Sequence, residues 1–232
     1  MNIDKNLVKK TILFSLLVQV ITGIISVHGF FLKIPENDKI LKDILVLETL
    51  VQFIEMIFYI WVAFAIININ TMTSRRYIDW VITTPTMLLS TIMFMKYQQQ
   101  IELNKQETEP VKTETFIQNN KDLIIEMFIY NFGMLFFGYL GEINILPKYI
   151  SIPIGFIFFY KSFNLIYTNY ANKSVLGKKL YMFLLIVWSM YGVAAMLPVN
   201  PKNISYNLLD IVAKNFYGLY IYYKITQISI SN

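Results

Sequence analysis

The chain has no cysteine and a single histidine, His28, among its 232 residues. The absence of cysteine excludes disulfide bonds, thiolate metal sites and catalysis by a thiol. One histidine leaves no Ser–His pair to consider and no histidine-rich metal site. Charged residues are also scarce, at 15% of the chain, against about 25% in soluble domains. An ordinary soluble enzyme is therefore excluded, and no enzymatic activity is expected.

Hydrophobic residues make up 56% of the chain and occur in long blocks. A helix needs about 20 apolar residues to cross a bilayer, and backbone groups in lipid must pair within their own segment. Seven blocks are long enough. We therefore predict an all-α membrane protein, a seven-transmembrane-helix bundle forming one domain over residues 1–232. The predicted spans are 11–31, 44–67, 76–95, 123–140, 150–168, 179–197 and 205–223, with a polar loop over 96–122.

The formal net charge of +5 would by itself also suit nucleic-acid binding. The lysines, however, lie between the apolar blocks rather than on one face. We therefore expect a lipid bilayer as the partner and no nucleic acid. Lysine and arginine are more frequent in the loops that an outside N-terminus would place in the cytoplasm. This bias predicts an outside N-terminus and a cytoplasmic C-terminus.

Two pairs of charged residues stand out on the third and seventh predicted spans. Lys214 lies near the middle of the seventh span, with Asp210 one turn earlier on the same face. Arg76 and Asp79 lie one turn apart on the third span. Charges in a membrane are expensive and are functional candidates by default, although polar residues also serve to join helices. A lysine in an apolar pocket can condense with an aldehyde to a Schiff base, whose charge needs a carboxylate. Asp79 and Asp210 are the only partners the sequence suggests.

Three short motifs stand in order on spans three, six and seven. Residues 76–85 read RYIDWVITTP, residues 188–191 read WSMY, and residues 210–214 read DIVAK. These resemble R-Y-x-D-W-x-x-T-T-P, W-S-x-Y and D-x-x-x-K of the microbial (type 1) rhodopsins. The resemblance covers the whole chain and extends to the viral rhodopsins of giant viruses of marine protists.

The resemblance implies roles for the charged residues. Lys214 would bind all-trans retinal as a Schiff base, Asp79 would be the primary counterion and proton acceptor, and Asp210 the second counterion. Arg76 would hold the outward side of the site. The residues expected to line the retinal are Trp80, Thr84, Met87, Trp188 and Tyr191.

The chain departs from the family's pattern at two places. The position after W-S-x-Y, normally a proline in the family, is Gly192 in this chain, and the position three residues later, normally an aromatic residue, is Ala195. A looser pocket is therefore expected at the ring end of retinal. The family's pumps also place a carboxylic acid eleven residues after the counterion. Here that position is a serine, which gives the triplet Asp79, Thr83 and Ser90. A hydroxyl cannot hold a spare proton near neutral pH, so efficient pumping is not expected.

The second span carries a polar stripe on an otherwise apolar helix. Its residues Glu48, Gln52 and Glu55 stand at i, i+4 and i+7, and acidic side chains facing a wet crevice attract cations. Polar residues that could face them are Ser15, Gln19 and Asn207. This stripe resembles that of the viral rhodopsins, a group that includes light-gated cation channels and related weak proton pumps.

Two alternatives stay open for the stripe. Glu48 could reach water at the cytoplasmic end of its span, and Glu55 could replace the missing proton donor. The preferred interpretation is a light-gated channel that passes protons or monovalent cations. The alternative is an outward proton pump of low efficiency, and the third is a sensory photoreceptor. A homo-oligomer is compatible with the sequence.

Overall fold

The computed structural model describes residues 5–65, 71–103 and 110–230, and these residues are almost entirely helical. The helices are α1 (Lys5–Gly29), α2 (Ile40–Ala65), α3 (Met72–Glu102), α4 (Thr113–Asn119), α5 (Lys121–Glu142), α6 (Lys148–Asn169), α7 (Val175–Ala195), α8 (Val199–Asp210) and α9 (Phe216–Ile230). A π-helical turn, Ile211–Asn215, joins α8 to α9. We call these last three pieces the seventh span.

Six of the described helices are long and apolar enough to cross a membrane, namely α1, α2, α3, α5, α6 and α7. The seventh span is divided by its π-helical turn into α8 with 12 residues and α9 with 15. Neither piece would cross a bilayer alone, since about 20 residues are needed, but together they form one continuous helical crossing. The predicted fold class, an all-α seven-helix bundle, is confirmed, and the protein is an integral membrane protein.

The seven crossings form a closed ring. Each long helix packs against the next in chain order, with α3 followed by α5, and the seventh span returns to contact α1 and α2. Residues from opposite ends of the chain therefore meet in the interior. This closure places α1, α2 and the seventh span side by side.

Polar side chains face the inside of this bundle. In α1, Ser15, Gln19, Thr22 and Ser26 are buried, whereas Phe14 and other large apolar residues of the same helix are exposed. The buried positions recur every three or four residues, which is the spacing of one helix face. The outer surface is therefore apolar, as a lipid-facing surface must be.

The third helix is longer than predicted. It continues past the expected end at residue 95 to Glu102, passing through Pro85 without a break. Tyr97, in the added turns, is buried and its hydroxyl donates to Asp38 Oδ1 at 2.5 Å. The predicted loop over 96–122 is correspondingly shorter and contains α4. Residues 104–109 of that loop, and 66–67 of the predicted second span, lie outside the described residues.

Candidate functional site

Lys214 lies in the π-helical turn and is buried, with its amine facing three carboxylates. Its Nζ is 2.9 Å from Asp79 Oδ2, 3.0 Å from Glu55 Oε1 and 3.8 Å from Asp210 Oδ1. The expectation that Asp79 and Asp210 are its only partners is wrong. Glu55, on α2, is as close to the amine as Asp79 is, because the ring brings α2 directly against the seventh span.

Asp210 is held by groups other than the lysine. Arg76 Nη1 donates to its Oδ2 at 2.9 Å, and the Tyr59 hydroxyl donates to the same oxygen at 2.7 Å. The Tyr191 hydroxyl donates to Oδ1 at 2.8 Å. A cation and two hydroxyl donors keep a buried carboxylate ionised. Tyr59 was not predicted, although it follows Glu55 by one helical turn on the same face of α2.

Arg76 is fully buried on the side of the cluster nearer the start of α1. Besides Asp210, its guanidinium donates to the side-chain oxygen of Asn207 and, at 3.3 Å, to the hydroxyl of Tyr59. Its charge also lies over the rings of Phe58 and Tyr206. These contacts fix the guanidinium between α2, α3 and the seventh span.

Glu55, Arg76, Asp79, Asp210 and Lys214 form what we call the charge cluster. It contains three acids and two bases, all buried. With all five groups ionised, the cluster carries one surplus negative charge. In a low-dielectric interior such a surplus is costly unless a proton or a cation neutralises it.

A line of polar side chains continues from the cluster between α1, α2 and the seventh span. Gln19 Nε2 donates to Glu55 Oε2, and Gln19 Oε1 accepts from Asn215 Nδ2 at 2.8 Å. Asn215 also donates to Thr22 Oγ1 at 2.7 Å. We call this line the polar seam; its members are Ser15, Gln19, Thr22, Glu48, Gln52, Glu55, Asn207 and Asn215.

Towards the start of α1, the seam is continuous with the arginine side of the cluster. Ser15 Oγ donates to the backbone oxygen of Asn207 at 3.2 Å, and Asn207 Nδ2 donates to Thr11 Oγ1 at 2.8 Å. The structure thus brings together Ser15, Gln19, Glu55 and Asn207, which were predicted from sequence. Thr22 and Asn215 were not predicted; Asn215 follows Lys214 directly and is the last residue of the π-helical turn.

At the other end, Glu48 accepts a hydrogen bond from Ser90 Oγ on its Oε1. Its Oε2 and both polar atoms of the Gln52 amide have no hydrogen-bond partner among the described residues, and all are buried. Gln52 lies against Gly218, where an added Cβ would overlap its Nε2. Because Gly218 has no side chain, the polar stripe of α2 packs directly on the seventh span.

Lys214 also lines a cavity of about 780 Å³, including the part that opens to the surface. The wall of this cavity is largely apolar. The five residues expected to line a chromophore, Trp80, Thr84, Met87, Trp188 and Tyr191, all line this cavity, as do Gly192 and Ala195.

Thr83 and Thr84 of α3, which were predicted to belong to the site, form hydrogen bonds to groups other than Lys214. Thr83 Oγ1 donates to the backbone oxygen of Asp79 at 3.0 Å, within its own helix. Thr84 Oγ1 donates to the Trp80 backbone oxygen at 2.7 Å and accepts from Asn131 Nδ2 of α5 at 2.8 Å. Asn131 was not predicted; no motif in the sequence distinguishes it.

An apolar cavity lined by a buried lysine, whose amine faces carboxylates, suits an aldehyde with a long apolar tail. In a closed ring of seven membrane helices, this arrangement defines a protein of the microbial rhodopsin type. The sequence matches the family model described as "Bacteriorhodopsin-like protein" over residues 10–228, and the chain belongs to this family. Membership implies a retinal chromophore.

Solved structures of rhodopsins are similar over nearly the whole chain. The viral rhodopsin OLPVRII has a TM-score of 0.80 and 27% identity, covering 96% of this chain and 99% of that one. A light-driven proton pump from Leptosphaeria maculans has a TM-score of 0.70 and 16% identity, with coverages of 97% and 98%. Halorhodopsin from Halobacterium salinarum has 0.72 and 12%, with coverages of 96% and 94%. No curated protein matches the sequence significantly.

Proposed function

We propose that the protein is a light-gated cation channel that binds all-trans retinal on Lys214 and has its N-terminus outside the cell. Retinal, when bound, supplies the absorption of visible light and a change of shape on illumination. The cavity between Lys214 and Gly192 supports this assignment, because its aromatic and small side chains would hold a long apolar chromophore.

In this proposal, Asp79 and Asp210 have different tasks. Asp79 Oδ2, at 2.9 Å from Lys214 Nζ, accepts the proton that leaves the nitrogen after illumination. Its other oxygen, Oδ1, has no partner among the described residues. Asp210 keeps its charge, because Arg76 and two tyrosine hydroxyls donate to it.

The observation that carries the channel proposal is the polar seam. Polar and acidic side chains from α1, α2 and the seventh span are buried against each other on both sides of the charge cluster. Such residues are costly in a membrane and mark ion or substrate pathways. The surplus negative charge of the cluster would favour a cation over an anion there. We take the seam to be closed in the dark, because Asn215 is hydrogen-bonded to Gln19 and Thr22 across it.

The second candidate is an outward proton pump of low efficiency. The direct contact between Lys214 Nζ and Asp79 favours it, because this is the first proton transfer that a pump needs. The residue that pumps of the family use as donor is Ser90 here, and Ser90 is engaged with Glu48. Slow reprotonation is therefore expected, which is why we prefer the channel.

Retinal binding is tested by adding all-trans retinal to the expressed protein. We expect a visible absorption band that Lys214→Ala abolishes. Lys161→Ala is the matched control: Lys161 also lies in a membrane helix, but it is exposed and lies over the ring of Tyr130. The control should keep the band. A colourless wild-type protein would exclude the photoreceptor assignment.

The transport mode is tested by light-evoked current under voltage clamp. A channel's current reverses sign near the equilibrium potential of the permeant cation and shifts when the sodium or proton gradient is changed. A pump's current stays outward over the physiological voltage range. A current that never reverses would establish the second candidate instead.

A further inference from the structure

The two carboxylate oxygens of Glu55 contact two different parts of the site. Its Oε1 is 3.0 Å from Lys214 Nζ, nearly as close as Asp79 Oδ2 at 2.9 Å. Its Oε2 accepts from Gln19 Nε2, which belongs to the polar seam. One carboxylate therefore connects the charge cluster to the seam.

From this geometry we infer that Glu55 is a third counterion of the Lys214 nitrogen, and that their ion pair keeps the polar seam closed in the dark. The inference rests on the proposed attachment of retinal at Lys214. It goes beyond the pore-lining role that the sequence suggests for Glu55, because it makes the state of the seam depend on one proton at Lys214 Nζ.

The different contacts of the three acids support this inference. Asp210 is satisfied by Arg76, Tyr59 and Tyr191, and its distance to the amine is 3.8 Å. Among the described residues, the carboxylates within hydrogen-bond distance of Lys214 Nζ are those of Asp79 and Glu55. The groups facing Glu55 are Gln19 from α1, and Lys214, Asp79 and Asp210 from α3 and the seventh span.

The proton balance gives the consequence of illumination. When the proton moves from Lys214 Nζ to Asp79 Oδ2, the nitrogen keeps its electron pair and becomes neutral, and Asp79 becomes neutral as well. The total charge of the cluster does not change. Glu55, however, loses its cationic partner and retains only the amide hydrogen bond from Gln19.

A buried carboxylate without a cation is unstable in a low-dielectric medium. It will draw in water or a cation along the route that polar groups offer, and that route is the seam. The same proton transfer that starts the photochemical reaction therefore creates a cation site within the pathway. This provides a physical link between the light-sensitive and the conducting parts.

The first test is the absorption maximum of the retinal-bound protein in the dark. A negative counterion near the nitrogen holds the positive charge there, so its removal shifts absorption to longer wavelength. We expect Glu55→Gln and Asp79→Asn each to cause such a shift, and Glu55→Asp to cause a smaller one. Glu126→Gln is the matched control, since Glu126 is exposed on α5 and bonded to Tyr130; its spectrum should equal that of the wild type.

The second test needs no retinal. In the retinal-free protein, Glu55→Gln and Lys214→Met are compared singly and together by thermal unfolding. Because the two groups form one ion pair, the change in Tm of the double variant should differ from the sum of the two single changes. Strictly additive drops would show that the two side chains do not interact.

The two proposals fail in distinguishable ways. If Glu55→Gln leaves the spectrum unchanged but abolishes a reversing photocurrent, Glu55 only lines the pore; the inference is then overturned while the channel stands. If it shifts the spectrum but the wild-type current never reverses, the counterion role holds and the channel assignment fails.

Discussion

Replacing Gly218 by alanine tests whether ions pass between α2 and the seventh span. Gly218 lies one helical turn after Lys214, and an added Cβ would overlap Gln52 Nε2 and stand 3.6 Å from Glu48 Cβ. The Gln52 amide has no hydrogen-bond partner among the described residues, so it can move aside, but only by filling the space next to the seam. The photocurrent per molecule of pigment should therefore fall severalfold, while the absorption maximum stays nearly unchanged.

The expected change in stability is small, which keeps the result interpretable. Overpacking a buried position costs about 1–3 kcal/mol, whereas glycine to alanine within a helix gains about 1 kcal/mol. The net loss should be about 0–2 kcal/mol, and the protein should fold. Gly23→Ala on α1 is the control, because an added Cβ there has nothing within 4 Å; it should leave the current intact. If Gly218→Ala conducts as well as the wild type with the same reversal potential, the seam beside Gly218 is not the pathway.

Two further predictions concern the ion pair between Glu142 and Lys202 and the cavity. Glu142→Gln should lower the free energy of unfolding by about 3–5 kcal/mol, because it leaves the buried Lys202 ammonium, which lies 2.6 Å from Glu142 Oε1, without an anion. Adding Lys202→Met should restore most of the Tm. A Tm unaffected by Glu142→Gln alone would contradict the argument. Gly192→Leu should slow the formation of pigment and shift its absorption. Even a Cβ at this position would stand 2.5 Å from the ring of Phe156, so the larger leucine side chain must enter the cavity. An unchanged rate and spectrum would show that the chromophore does not reach Gly192.

The sequence predicts the parts of the site that lie on one helix. Asp210 and Lys214 share a face because they are four positions apart, and Arg76 and Asp79, three positions apart, share a face of α3. The pairing of Lys214 with Asp79 across two spans was expected because a charged Schiff base needs a carboxylate and because the motifs resemble those of the microbial rhodopsins. The structure places Lys214 Nζ 2.9 Å from Asp79 Oδ2. Periodicity accounts for the pairs on one helix because it depends on local chain geometry.

The sequence did not predict what depends on the rotation of one helix against another. The α2 stripe was recognised as polar, but nothing in its spacing says that Glu55 reaches Lys214 rather than only a crevice. That contact depends on Gly218, which lets α2 approach, and on the π-helical turn, which directs Asn215 towards Gln19. A π-helical turn has no sequence signature comparable to a helix cap, so its effect on these side chains could not be predicted from the sequence.

The arrangement around Lys214 separates the bundle into two halves with different chemistry. The cavity is lined by α3, α5, α6, α7 and the seventh span, with no residue of α1 or α2 among those that line it. The polar seam, in contrast, is built from α1, α2 and the seventh span. The Lys214 side chain belongs to both, since it lines the cavity and pairs with Glu55. An influence of light on the seam can pass through the seventh span or through α3, whose Ser90 donates to Glu48. The most direct route is the charge on a single nitrogen atom, Lys214 Nζ, 3.0 Å from Glu55 Oε1. For this reason, substitutions in the cavity should change colour and pigment formation first, those along the seam should change current first, and Glu55 alone among the seam residues should change both.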